Sequence, residues 1–241
     1  MTIYEPAFET MKEAHRQNQQ LYRTSSPKEP KAEATEQQGP FKKINDRTLG
    51  INLYREPIWF KRRTMIGYEG GIKIKRPSMW ETGFFRAFRQ RFLRQSIQLS
   101  KGQGQGTLYI ADNGKKVILF PLTERQALSV KSTDVLAFDD QVQWQIRMMK
   151  HIAGTMRSGL FHIEFKGPGI VAMTCPGDPL LLPVTSSNPI FTNPSSTLAW
   201  SGQVKPSVNI DASAKTLFGR GSGNSVQFKF EGQGYVIIKP Q

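Results

Sequence analysis

The stretch "FHIEFKGPGIVAM", Phe161–Met173, returns near the C-terminus as "VQFKFEGQGYVII", Val226–Ile238. The two align without a gap, 65 residues apart. In the first, Phe161, Ile163 and Phe165 point to one face of a strand, with His162 and Glu164 opposite. In the second, Phe228 and Phe230 share a face, with Gln227 and Lys229 opposite. Each stretch turns on Gly-x-Gly, which supplies a residue at positive φ, so each is expected to be a β-hairpin. A third copy, "GQGTLYI" (Gly104–Ile110), begins 63 residues before the Gly of the first stretch.

A second motif keeps the same order and period. It is written "IGYEGGI" at Ile66–Ile72, "LAFDDQV" at Leu136–Val142 and "LAWSGQV" at Leu198–Val204. A repeat of this length is too long for the usual solenoid units. Three similar β units fit one pseudo-threefold domain, with Tyr68, Phe138 and Trp200 expected in equivalent packing layers. Short alternating runs cut by Gly, Pro, Asn and Asp continue from Phe41 onward. The fold class is therefore mainly β: one sandwich or barrel-like domain of three pseudo-repeats over residues 41–241, preceded by an N-terminal arm and linker, 1–40.

"GLFHIEFKGPGIVAM", "PGDPLLLPV" (Pro176–Val184), the Leu-Ala-aromatic corners and the closing "GNSVQFKFEGQGYVIIKP" carry a resemblance. Together they resemble the mitochondrial biogenesis family named for altered inheritance of mitochondria, over about residues 60–240. The resemblance implies a fold like the tryptophan RNA-binding attenuation protein and a tendency to oligomerise. It implies no catalytic residues. The arm and the stretch "LYREPIWFKRR" (Leu53–Arg63) depart from the compact bacterial form of that family.

In the arm, Tyr4, Phe8, Met11, His15, Asn18 and Tyr22 are spaced four and three apart, which places them along one helical face. Alone such a helix is marginal. It is either a frayed polar terminus or an element that folds against a partner, with Phe8, Met11 and Tyr22 as anchors. Residues 24–40, "TSSPKEPKAEATEQQGP", hold three prolines and no aromatic, which is the composition of a linker.

The net charge is +14 and is unevenly spread. Residues 40–100 hold fourteen basic and four acidic side chains. Within them, Tyr54, Arg55, Trp59, Lys61, Arg62 and Arg63 form a basic aromatic segment. Arg86, Arg89 and Arg94 lie off the Phe84–Phe88–Phe92 stripe of an expected basic amphipathic helix, 80–97. Cations among aromatics grip phosphate and stack on bases. They also anchor protein interfaces, and a basic face suits anionic lipid. The expected partners are protein subunits of a larger assembly, further copies of this chain included, with nucleic acid as the alternative using residues 54–94. No RNP-type motif is present.

Candidate chemistry is sparse. "GRGSGNS" (Gly219–Ser225) lacks the Gly-Lys-Ser/Thr leading into a helix that a phosphate loop needs. His15, His151 and His162 are scattered, and His162-x-Glu164 offers only two metal ligands. Cys175, the single cysteine, follows an apolar strand and reads as a buried or half-buried structural thiol. Asp139-Asp140 aligns with Glu69-Gly70 and Ser201-Gly202, so its acidity is not kept between copies, which points to a turn. The expectation is a non-enzymatic structural or assembly module without catalytic, cofactor-binding or metal-ligating residues. Its host would be a virion-type particle or a membrane-associated assembly. The start, "MTIYEPAFETMKEAHRQ", has no basic-then-apolar signal pattern, and no run nears the ~18 apolar residues of a membrane helix. The expected location is soluble, intracellular or in a particle assembled in the cytoplasm.

Overall fold

The structure, a computed structural model, describes residues 37–54, 56–76, 99–149, 161–211 and 225–240. The expected arm helix with Phe8, Met11 and Tyr22 lies outside them. So do the expected helix with Arg86, Arg89 and Arg94, Arg55, His15, His151 and most of the Gly219–Ser225 turn.

The chain is mainly β. A first hairpin is formed by β1 (Gln37–Gln38) and β2 (Phe41–Asn45), so strand structure begins inside the segment whose composition reads as linker. The remaining strands fall into three sets of equivalent order. The first set is β3 (Thr48–Asn52), β4 (Ile58–Lys61), β5 (Met65–Lys75) and β6 (Leu99–Ile110). The second is β7 (Lys116–Leu122), β8 (Ala127–Lys131), β9 (Val135–Asp139), β10 (Gln143–Met148), β11 (Phe161–Lys166) and β12 (Gly169–Cys175). The third is β13 (Leu180–Val184), β14 (Ile190–Thr192), β15 (Thr197–Ser201), β16 (Lys205–Asp211), β17 (Ser225–Glu231) and β18 (Gly234–Ile238). In the first set β5 and β6 are long, and each does the work of two strands.

The expected hairpins do not form. β11 pairs with β8 and β10, whereas β12 pairs with β7 and β9. Likewise β17 pairs with β14 and β16, and β18 with β13 and β15. Each Gly-x-Gly is a corner at which the chain leaves one sheet and enters another. In the first copy the corner is smooth, and β6 runs through Gly104 and Gly106 unbroken. The last glycines of the three corners, Gly106, Gly169 and Gly234, share positive φ of 152°, 137° and 152°. A Cβ on Gly169 would lie 2.5 Å from Val142, and one on Gly234 would lie 2.8 Å from Val204. Those two valines close the aligned "LAFDDQV" and "LAWSGQV" motifs, which explains why the two motifs repeat together.

The strands build walls. The path β5-β6-β4-β9-β12-β7 is matched position by position by β10-β11-β8-β15-β18-β13. The same rule would give a third wall, β16-β17-β14-β5-β6-β3. That wall is divided: β14-β17-β16 is a separate three-stranded sheet, and β14 makes no pairing with β5.

The core is likewise threefold. One cluster, around Trp59, Phe138, Phe165 and Met173, lies between the two complete walls. A second, around Phe41, Leu49, Phe60 and Ile110, joins the first wall to the β3–β6 half. A third, around Trp200, Phe228, Phe230 and Val236, joins the second wall to the β17 half. Phe138 and Trp200 are buried in equivalent places, and each meets the equivalent ring of its own repeat. Phe138 lies 5.0 Å from Phe165, and Trp200 lies 5.5 Å from Phe230. Tyr68 does not follow them, for it is 54% exposed. At the position of Phe165 and Phe230 the first copy has Gly102, whose place is filled by Leu53 and Phe60, so Tyr68 has no ring to pack on.

Candidate partner-binding surface

The structure divides the basic aromatic segment between core and surface. Trp59 is 3% exposed on β4 and stacks at 6.1 Å on Phe138, with Trp144 edge-on at 5.3 Å. Its Nε1–H donates to Asp140 Oδ1 at 2.6 Å, and the Lys101 ammonium sits 5.2 Å above its ring. Trp59 is therefore a core aromatic and not a docking anchor. Three consecutive residues in the middle of a wall, Ile58, Trp59 and Phe60, are buried, which alternating polarity could not announce. Lys61 is likewise committed: its ammonium bonds Asp112 Oδ2 at 2.9 Å and the Thr133 carbonyl at 2.8 Å. Tyr54 and Arg63 are exposed and Arg62 is half-buried. Tyr54 borders an open groove of about 330 Å³ lined by Glu56, Asp139 and Asp140. An acidic groove repels phosphate, so this end of the segment does not favour nucleic acid.

Lys61 opens onto a larger ionic network. Asp112 Oδ2 also receives Thr174 Oγ1 at 3.0 Å and Lys115 at 3.4 Å. Asp134, on a 3₁₀ turn between β8 and β9, is 1% exposed and bonds Lys239 at 2.6 Å and Lys115 at 3.4 Å. Burial would push the Asp112 carboxyl up, but the Lys61 hydrogen bond and charge, with Lys115 and Thr174, hold it below the ordinary value. Burial, with Lys239 and Lys115 nearby, lowers Lys131. These lysines and carboxylates come from all three repeats and lock them together.

The remaining candidates are structural. Asp139 Oδ2 accepts the Ile170 N–H at 2.7 Å, and the aligned Ser201 Oγ accepts the Tyr235 N–H at 3.1 Å. The position is an acceptor for the backbone just past each corner, in keeping with the turn reading. Cys175 is fully buried at the end of β12, and burial raises its thiol. His162, expected on a polar face, is buried at the place held by Leu99 in the first copy. It packs 4.7 Å from Trp200. The His162 end of β11 is covered on this face because Trp200 of the third core cluster packs against it, while Glu164 on the same face stays partly exposed.

Burial lowers the His162 pKa to about 4. The unfolded chain then binds a proton that the folded chain refuses between about pH 6.5 and 4. Stability is full above that window and falls as the pH drops through it, by roughly 3 kcal/mol in all. Thermal unfolding at pH 7 and pH 5 should show the loss in the parent chain and a flatter profile in His162→Leu. Equal pH sensitivity in both would remove His162 as the cause.

Several large apolar side chains stand on the surface. Met65, Ile66, Tyr68 and Ile74 on β5 and Phe191 on β14 are large and exposed. Ile72, on the Tyr68 face of β5, packs against the second core cluster, so that face is an inner face of the fold left uncovered. These residues escaped the sequence reading, since "MIGYEGGIKIK" looks like any half-buried strand. Its one signal was Gly102 standing where the other copies have phenylalanine.

A three-repeat β domain with internal ion pairs and one unfinished wall is the class these features define. Residues 41–241 match the family described as mitochondrial biogenesis AIM24, and the chain belongs to that family. A crystal structure of a protein from Streptococcus pyogenes shares the fold, with a TM-score of 0.62 and 16% identity over 86% of this chain and 92% of that one. No curated protein matches the sequence. Among the described residues no helix is long and apolar enough to cross a membrane.

Proposed function

We propose that the protein is a non-enzymatic assembly module that docks on other protein subunits. The observation that supports this is the exposure of Met65, Ile66 and Tyr68 on β5 and of Phe191 on β14, two strands that each leave one edge unpaired among the described residues, since exposed apolar residues beside such edges favour association. The ionic side chains of the network are engaged with one another, which suits a scaffold. The arm adds Phe8, Met11 and Tyr22 as further anchors in this reading.

Exposed Lys73 and Lys75 on β5, with exposed Arg76 just after it, favour a second reading, binding of single-stranded nucleic acid. Native mass measurement decides between them. Assembly predicts complexes well above the 27.3 kDa of one chain that persist in moderate salt, with weaker complexes when residues 1–36 are removed. A monomer that binds oligonucleotides with steep salt dependence would replace the assembly reading with the second one. The partners retained in the native complex identify the host, whether a virion-type particle or a membrane-associated assembly.

A further inference from the structure

The divided wall has a predictable complement. In the first complete wall β4 pairs antiparallel with β9, with Ile58 opposite Asp139, Trp59 opposite Phe138 and Phe60 opposite Ala137. In the second, β8 pairs with β15 in the same register, with Leu128 opposite Ser201, Ser129 opposite Trp200 and Val130 opposite Ala199. The pairings of β6 with β4, β11 with β8 and β17 with β14 align Trp59, Ser129 and Phe191 as equivalents. The corner motif aligns Phe138, Trp200 and Tyr68. The missing pair is thus β14 with β5, with Phe191 opposite Tyr68, Ile190 opposite Glu69 and Thr192 opposite Gly67.

Both members of the missing pair are exposed, Phe191 by 48% and Tyr68 by 54%, while Trp59, Ser129, Phe138 and Trp200 are buried. Several features weaken closure within one chain. β14 has three residues, against four in β4 and five in β8. Pro189 and Pro194 bracket it and prevent its extension. Gly102 denies Tyr68 the ring that holds Phe138 and Trp200 in place.

We propose that the wall is completed between two copies of this chain, the β14 edge of one pairing with the β5 edge of the other in the register above. The occupant is a second copy because the complement of each edge, in residue type and register, is written in the chain itself. This inference rests on the assembly reading and names its surface. Cross-strand aromatic pairs such as Phe191 with Tyr68 stabilise antiparallel ladders.

The test uses full-length Tyr68→Cys and Phe191→Cys proteins, each exposed at the new thiol, with Cys175 buried in both. They are mixed and treated with a short bis-maleimide. The expected result is a covalent dimer of the two variants, about tenfold or more above a control mixing Tyr68→Cys with Ile44→Cys, because pairing raises the effective concentration of the thiols. A mixed dimer no more abundant than the control overturns the proposal. So does a double variant, Tyr68→Cys with Phe191→Cys, that links only within single chains, which would mean that each chain closes its own wall. Native mass of the parent chain separates the two levels of inference. Oligomers without this cross-link keep the assembly reading and reject the seam, whereas a strict monomer rejects both.

Discussion

Phe138→Ala and Trp200→Ala are each expected to destabilise the domain by about 3–5 kcal/mol, and Tyr68→Ala by little. The three residues occupy the same place in the aligned motifs, so a sequence argument alone predicts equal losses. The structure separates them. Phe138 is fully buried between Trp59, Trp144 and Phe165, and its removal leaves a void that three fixed rings cannot fill. Trp200 is held by His162 and Phe230. Tyr68 faces solvent in the isolated chain. Chemical denaturation of the three variants, at protein concentrations low enough to keep the chain monomeric, gives the comparison. Equal losses at all three sites would mean that the third wall is closed in the monomer. Small losses at Phe138 or Trp200 would remove the repeat as the organising principle of the core.

The repeat was legible because its glycines and aromatics recur at one spacing. What the spacing could not convey was pairing. A strand, a Gly-x-Gly and a second strand spell a hairpin when read locally, because sequence neighbours usually pair. Here the strands on either side of each Gly-x-Gly find partners from distant segments, and its last glycine, Gly169 or Gly234, serves the close approach of Val142 or Val204 to the corner. The expectation of Trp59 as a surface anchor fails for a related reason. Trp59 and Phe60 stand beside Lys61, Arg62 and Arg63 in sequence, yet β4 is central in its wall, so its aromatics sink on both faces. Lys61 is drawn to Asp112, 51 residues away. Long-range ion pairs leave no local trace, so neither the partners of Lys61 nor those of Asp134 could be read from composition. The exposed β5 edge was hidden in plain view: Tyr68 matched the motif, and only the comparison of Gly102 with Phe165 and Phe230 reveals that its packing partner is missing.

The ionic network supplies the other large effect. Asp134→Ala is expected to cost about 3–5 kcal/mol, because it strands the ammonium of Lys239, itself largely buried, without its carboxylate. Lys115 loses one of its two carboxylates and can turn toward Asp112 or solvent, so it contributes less. The loss is not the worth of the pair. Bringing Asp134 and Lys239 out of water costs much of what their attraction returns, so replacing both, as Asp134→Leu with Lys239→Met, should restore a good part of the stability lost in the single variant. The backbone of the same region explains why the damage spreads. The Asp134 carbonyl receives the Thr174 hydroxyl from β12, and the Lys239 N–H bonds the Ser196 carbonyl just before β15. The stranded charge therefore disturbs the join between the second and third repeats. Denaturant titrations of the two single variants and the double variant measure the coupling. A double variant as unstable as the sum of the singles would show that Asp134 and Lys239 act independently, and that the repeats are held together by their apolar clusters alone.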